Sequence, residues 1–249
     1  MLSFLFPPIC PLCAKELLNK GERVCKTCSK KQIFIKEPTC YSCGKSMKNH
    51  EKEYCSDCRQ HPKNFERGMG LCIYQKPVTD SLAAIKYKNE RRFAQYYLEE
   101  IQKRKYKELM QLKVDAVIPV PIHRKKRRKR GFNQAEIFAE GIAEMLNRPM
   151  YTKIVERIHD TKPQKQLNPG ERKSNLKKAF RGNFKEYQEA GMPQRVLLVD
   201  DIYTTGSTAQ AVTAALKQMG VREVYVFCIA IGKGFSRYFR HGILLDGLL

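Results

Sequence analysis

From Gly70 onward the chain alternates short apolar, β-branched runs with longer segments whose apolar positions recur every three or four residues. Five runs are strand candidates: Leu71 to Tyr74, Asp115 to Pro121, Met150 to Glu156, Arg195 to Val199 and Val224 to Ile231. The second ends in Pro-Val-Pro, so its end must leave the sheet. Between the strands the pattern predicts a long basic amphipathic helix from Thr79 to Leu112 with one break near Asn89. A second helix follows Asn133, which can cap it. Glu136 stands three residues on, and Ile137, Phe138, Ile142, Met145 and Leu146 form its apolar face. A third, Ser207 to Met219, is closed by Gly220. Strands alternating with helices predict an α/β fold, a parallel sheet flanked by helices, with ligands bound where strand ends lead into helices.

Before His61-Pro62-Lys63 the texture differs, and the chain divides there into residues 1–62 and 63–249. The first part has few large aliphatic residues and four Cys-x-x-Cys pairs: Cys10/Cys13, Cys25/Cys28, Cys40/Cys43 and Cys55/Cys58, each starting fifteen residues after the last. Each knuckle aims two thiolates at one centre, so eight ligands make two tetrahedral S4 zinc sites. The even spacing leaves the pairing open. A thirty-residue repeat closes it, because Pro8-Ile9-Cys10 recurs as Pro38-Thr39-Cys40 and Val24-Cys25 as Tyr54-Cys55. Cys10, Cys13, Cys25 and Cys28 then hold one zinc, and Cys40, Cys43, Cys55 and Cys58 the other. A redox Cys-x-x-Cys would occur once, at the head of a helix, not four times in register. So small a module draws most of its folding energy from the metal. Cys72 and Cys228 lie in apolar segments and read as core.

Charge adds a partner class. The 249 residues carry 47 Lys+Arg against 25 Asp+Glu, a net +22 that favours polyanions. Up to Lys63 there are 12 basic and 6 acidic residues, so +16 of the total lies beyond the cysteine module. The opening apolar stretch, Leu2 to Phe6, is too short for a targeting signal, and no run reaches membrane-spanning length. A cytoplasmic protein without membrane insertion is expected, with its thiols kept reduced.

The segment Val196-Leu197-Leu198-Val199-Asp200-Asp201-Ile202-Tyr203-Thr204-Thr205-Gly206-Ser207-Thr208 carries the densest chemistry. An apolar strand delivers two adjacent carboxylates, and a hydroxyl-rich turn then opens a helix. The hydroxyls and backbone N–H groups of Thr204 to Thr208, at the positive helix end, suit a phosphate monoester. Gly206 lets the backbone approach it, and two carboxylates suit a ribose diol, directly or through Mg2+.

This stretch resembles the phosphoribosyl pyrophosphate (PRPP) motif of type I phosphoribosyltransferases. Val120-Pro121-Ile122-His123, Arg130-Gly131-Phe132-Asn133-Gln134, and the block Thr161-Lys162-Pro163-Gln164 through Leu167, Glu171-Arg172, Asn175 and Ala179-Phe180 extend the likeness. With the cysteine module they resemble the ComF family, proteins tied to DNA uptake in natural competence. The resemblance implies a type I phosphoribosyltransferase domain. In it Asp200 and Asp201 meet the ribose hydroxyls and Mg2+, Thr204, Thr205, Gly206, Ser207 and Thr208 hold the 5-phosphate, and Ile122, His123 and Arg124 face the diphosphate. Thr161 to Asn175 would be a loop closing over PRPP, with Arg172 steadying the leaving group. Asp200, Asp201 and Arg172 would be its catalytic residues. Thr204 stands where hypoxanthine-type enzymes carry an acidic base, so that activity is disfavoured and the acceptor stays open.

Arg124-Lys125-Lys126-Arg127-Arg128-Lys129-Arg130 is the densest charge in the chain. Such runs are ordinarily solvated, mobile arms. Wedged between a buried strand end and a capped helix, this one fits a polynucleotide backbone better, with Phe132, Tyr203 and Phe180 as candidates to stack on bases. Two readings follow. One is a competence protein that binds PRPP and single-stranded DNA as a nucleic-acid-binding adaptor, with a DNA-uptake helicase as the partner the resemblance implies. The other is an active phosphoribosyltransferase.

Overall fold

Four parallel strands in one sheet organise the molecule, in the spatial order β1 (Arg67–Ile73), β6 (Glu223–Ile231), β5 (Arg195–Tyr203), β2 (Ala116–Pro119). A computed structural model describes residues 8–17, 21–159 and 179–232. Before the sheet the cysteine module contributes two short helices, α1 (Lys26–Ser29) and α2 (Ser56–Gln60). A separate antiparallel pair joins β3 (Val155–Arg157) to β4 (Phe180–Gly182). Strand β1 leads through α3 (Val78–Lys88), α4 (Phe93–Arg104) and α5 (Tyr106–Gln111) to β2. The chain then forms α6 (Arg124–Arg130) and α7 (Gln134–Leu146), and α8 (Phe184–Glu189) and α9 (Ser207–Gln218) bracket β5.

The central strands are buried on both faces, which is why they read as unbroken apolar runs. Val117, Leu197, Val199 and Phe227 pack with Leu82, Ile85, Tyr97, Phe138 and Ile142 of α3, α4 and α7. Ala116, Ile118, Val196, Leu198 and Val226 pack on the other face with Ala209, Val212 and Leu216 of α9. Helices therefore leave adjacent strands β2 and β5 toward opposite faces. A crevice opens between their carboxyl ends, the usual ligand position in such sheets.

The parallel sheet flanked by helices and the Cys-rich module are both as the sequence predicts, with differences at the element ends. Strand β1 starts at Arg67 rather than Leu71 because Gly68 and Gly70, which resemble turn residues, are close-approach positions. A Cβ at Gly68 would stand 2.9 Å from the Ser42 carbonyl oxygen, and one at Gly70 2.6 Å from the Ile231 side chain. The long helix breaks at Asn89, left-handed at φ 59°, and again at Lys105. The strand expected over Met150 to Glu156 is split. Met150 makes one parallel bridge to Val117, and the chain then departs to pair Val155–Arg157 with β4. Strand β5 runs on to Tyr203, so Asp200 and Asp201 sit within the strand rather than after it. The heptamer is no mobile arm. It is helix α6, capped by His123, whose Nδ1 accepts from the Lys125 N–H at 3.3 Å, and ended by left-handed Gly131 at φ 83°.

The cysteine module straddles the β1 edge. Its linker adds an antiparallel rung there, with the Ile73 N–H donating to Ile33 at 2.7 Å and the Ile35 N–H to Leu71 at 2.9 Å. Cys10, Leu12 and Cys28 join the core on the α3/α4 face. Cys40, Cys43 and Cys58 join the core on the α9 face. Cys72 and Cys228 are buried, as expected. Among the described residues no helix is long and apolar enough to cross a membrane.

Candidate functional site

Two cysteine quartets form the metal centres. Cys10, Cys13, Cys25 and Cys28 converge, as do Cys40, Cys43, Cys55 and Cys58, with the sulfurs of each group within 4.8 Å of one another. Cys13 and Cys25 Sγ are 3.7 Å apart and Cys43 and Cys55 Sγ 3.8 Å apart. A tetrahedron with Zn–S bonds of about 2.3 Å requires about 3.8 Å between sulfurs. The Cys55 N–H donates to Cys40 Sγ at 3.3 Å and the Cys25 N–H to Cys10 Sγ at 3.5 Å, the knuckle bonds that steady a thiolate. The donor sets and spacings fit zinc, and the pairing is the one the thirty-residue repeat gives.

At the carboxyl ends of β2 and β5 the candidate residues lie in neighbouring loops, since Pro119 pairs with Val199 and the Val120 N–H donates to Val199 at 2.8 Å. Strand alternation sends Asp201, like Leu197 and Val199, toward α3 and α7, and Asp200 the other way. Asp201 is 4% exposed. Its Oδ2 is ion-paired with Lys86 of α3, and its Oδ1 accepts from Gln134 Nε2 at 3.3 Å. Burial works against the Lys86 ammonium, yet the charges of Asp201 and Asp200 outweigh it and leave its pKa raised. Asp200 is pushed well above the usual carboxylate range, first by burial and then by the charge beside it on Asp201.

The hydroxyl turn follows directly. Thr205 Oγ1 and Ser207 Oγ lie 2.8 Å apart, and the Ser207 N–H donates to Thr205 Oγ1 at 3.3 Å. Gly206 is left-handed at φ 77°, and a Cβ there would overlap Tyr203 Oη, so both conformation and space demand glycine. Tyr203 itself is buried against Phe65 in a T-shaped contact at 6.5 Å. Its hydroxyl has no hydrogen-bond partner among the described residues. Thr204 is exposed and Thr208 half-buried on the first turn of α9.

The turn after β2 is tied to the acidic pair through α7. Asn133, 1% exposed, donates to the Val120 carbonyl at 2.9 Å and accepts from the Ala135 N–H at 3.2 Å. Next to it Gln134 holds Asp201, so one dipeptide fixes both loops. Glu136 does not close a capping box. It pairs instead with Arg127 at 2.5 Å. His123, Arg124 and Arg127 line a cleft of about 320 Å³ whose far wall is Lys153, Glu156, Arg157 and Arg181 near the β3/β4 pair. Five basic side chains face two acids there, so the cleft suits an anion. The acidic pair and hydroxyl turn do not line it. Arg172 and the block Thr161 to Asn175 lie outside the described residues.

Sequence reasoning missed Lys86, Lys153, Arg157 and Arg181. For Lys86 a signal exists: it falls eight residues after Val78 and four after Leu82, both buried, so a charge occupies a core stripe. Removing one member of a buried pair strands the other charge. Lys86→Met should therefore destabilise by about 3 kcal/mol in urea titrations at neutral pH, and adding Asp201→Asn should restore most of it. A loss below about 0.5 kcal/mol would mean that the pair is solvated.

The class these features define is a zinc-ribbon protein whose parallel α/β body carries an acidic pair and hydroxyl turn beside a basic cleft. Residues 1–59 match the double zinc ribbon domain family. Competence protein F of Haemophilus influenzae is 36% identical over 121 residues, 48% of this chain and 52% of that protein. DNA utilization protein YhgH of Escherichia coli K12 is 32% identical over 115 residues, 46% and 48% of the two chains. Competence protein ComFC of Bacillus subtilis is 30% identical over 104 residues, 42% and 39% of the two. The chain spans about half the length of the first of these relatives. Among solved structures, a purine phosphoribosyltransferase from Pyrococcus horikoshii Ot3 aligns at TM-score 0.35 and 17% identity, covering 55% of this chain and 74% of that one, too slight a likeness to bear weight. The chain carries a double zinc ribbon domain and is homologous to competence protein F, ComFC and YhgH.

Proposed function

We propose that the protein is a cytoplasmic adaptor of natural competence that binds single-stranded DNA along α6 and PRPP at the adjoining strand ends. The observation that carries this reading is α6 itself: seven consecutive basic residues, none of them buried, folded into a helix on the rim of an anion-suited cleft. The names of the relatives, competence and DNA utilization proteins, agree with it. Unbridged cysteines fit a reducing compartment. A DNA-uptake helicase is proposed as a partner on the family resemblance alone.

A second reading, transfer of ribose 5-phosphate from PRPP to an acceptor not yet named, is favoured by one feature. Strand β5 hands two carboxylates to a hydroxyl turn at the head of a twelve-residue helix. Asp201 is committed to Lys86 and Gln134, which leaves Asp200, carrying the strain of burial beside a like charge, as the carboxylate that a divalent cation such as Mg2+ would relieve. Asp200 would help hold it, and the ion would neutralise charge on a departing diphosphate. Thr205, Ser207 and the first N–H groups of α9 would orient the 5-phosphate, and His123 and Arg124 would face the diphosphate. With no base in the turn, an acceptor whose attacking atom carries a proton must arrive deprotonated or release that proton to solvent.

Calorimetry with PRPP and Mg2+ tests the small-molecule site. Binding is expected, weakened at least tenfold by Asp200→Asn; unchanged affinity in that variant would remove the acidic pair from the site. Titration of labelled oligo(dT) should show binding that falls steeply with salt, and no binding at about 50 mM salt would end the adaptor reading. Pyrophosphate release above hydrolysis, with bases, nucleotides or single-stranded DNA as acceptors, separates transferase from adaptor.

A further inference from the structure

The aromatic residues that the sequence offered for base stacking are core residues. Phe132 is 7% exposed, Phe180 6% and Tyr203 4%. A different aromatic stands in the open. Tyr87, in the last turn of α3, is 69% exposed, the most of any large hydrophobic side chain among the described residues. A lone exposed tyrosine on a soluble surface needs no explanation. The surroundings of this one set it apart.

Tyr87 follows Lys86, whose ion pair with Asp201 ties that turn of α3 to the end of β5. Arg130, the last residue of α6, places its guanidinium 5.3 Å from the centre of the Tyr87 ring. Arg130 is held in turn by Gln134, the residue that also bonds Asp201. Next to this pair Arg91 lies over Phe132 at 4.1 Å. The ring is therefore held between α3 and α6, with a cation on one face, and its exposure leaves the other face to solvent. Aromatic rings bound by arginine at the end of a basic track are how proteins hold unpaired bases without reading their sequence.

We propose that Tyr87 is the stacking platform for one base of a single-stranded polynucleotide whose phosphates follow α6. The inference rests on the DNA-binding reading above and assigns the base contact that α6 cannot supply. Seven helical residues span about 10 Å, room for two or three phosphates of a strand that advances at least about 3.4 Å per nucleotide. The base next to the Arg130 end then reaches the open face of Tyr87.

The chain contains no Trp, so Tyr87→Trp introduces a single indole at the proposed contact. The zinc-loaded, full-length variant is titrated with oligo(dT) and with an abasic oligomer of equal length. The oligo(dT) should quench the indole fluorescence to saturation and the abasic strand should not. A Met110→Trp variant reports from an exposed position on α5, away from α6, and should stay unquenched. By anisotropy with labelled strands, Tyr87→Ala should weaken oligo(dT) binding about fivefold to a hundredfold. Tyr87→Phe should restore that binding, and the affinity for the abasic strand should hold within about twofold. Wild-type affinity for oligo(dT) in Tyr87→Ala, or an indole that stays unquenched when the Tyr87→Trp complex forms, overturns the platform and leaves the DNA reading standing. Equal losses for both strands also overturn it, since Tyr87 would then merely support α6. If neither strand binds the wild-type protein, the platform and the DNA reading fail together.

Discussion

Replacing Lys125, Arg127 and Arg128 together by Gln should flatten the salt dependence of single-stranded DNA binding by about two units of log K per unit of log salt, and weaken binding roughly a hundredfold near 0.1 M salt. Both numbers come from one source. Each phosphate neutralised on a single strand contributes a slope of about 0.7 through released counterions, and three contacts sum to about two. The three residues will not share that effect equally. Lys125 and Arg128 project from the exposed surface of α6, whereas Arg127 is already engaged by Glu136 at 2.5 Å. Removing Arg127 also leaves Glu136 uncompensated at the cleft wall, where it repels the strand. Binding measured from low to moderate salt gives the slope directly, and a slope unchanged in the triple variant would take α6 out of the interface.

A second large effect is expected at the metal centres, and it should differ between them. Cys58→Ser should reduce the metal content from two zinc ions to one, and Cys28→Ser should do the same, since three thiolates hold zinc far less tightly than four. Ribbons without zinc generally do not fold, and binding of about 10–16 kcal/mol in isolated finger peptides is folding energy. The consequences then diverge. Cys43 and Cys58 share a core with Tyr203, Ala209 and Val212, and Asn64 donates to the Gln210 carbonyl of α9 at 2.9 Å. The second zinc therefore supports the floor of the hydroxyl turn. Cys10 and Cys28 pack instead with residues of α3 and α4. PRPP binding should be lost in Cys58→Ser and largely kept in Cys28→Ser, read by calorimetry on protein whose zinc content has been assayed. Equal retention in both variants would disconnect the second ribbon from the turn.

What the sequence made legible was local. A knuckle is four residues long, so ligand identity and spacing are visible without any knowledge of the fold, and the thirty-residue repeat supplies the pairing. Strand, acidic pair, hydroxyl turn and helix are likewise contiguous, and β5 and α9 appear where the pattern puts them. Distant contacts were hidden. Lys86 meets Asp201 across more than a hundred residues of chain, and nothing near Asp201 announces its partner. The helical form of the basic heptamer was hidden for another reason. A run of like charges is ordinarily a mobile arm, yet Arg and Lys are good helix formers, His123 and Gly131 cap the segment, Glu136 neutralises Arg127, and Gln134 and the Tyr87 ring engage Arg130. The strand expected at Met150 to Glu156 is found only at its two ends, in the Met150 bridge and in Val155 and Glu156 of β3. Apolar character marks burial, and Ile154 is buried without belonging to any strand.

The linker rung on β1 has a bearing on how this protein is handled. Residues 33–35 occupy hydrogen-bonding positions that a seven-residue outer strand would otherwise offer to any chain in solution. The two ribbons hold that segment in place from either face of the sheet. Stripped of zinc, the segment is left with the burial of Ile33 and its own two hydrogen bonds, and each time it opens β1 is an edge capable of pairing with the same edge of another molecule. Chelator-treated preparations should therefore grow in size before they lose helical signal, making oligomerisation, not unfolding, the first visible sign of metal depletion.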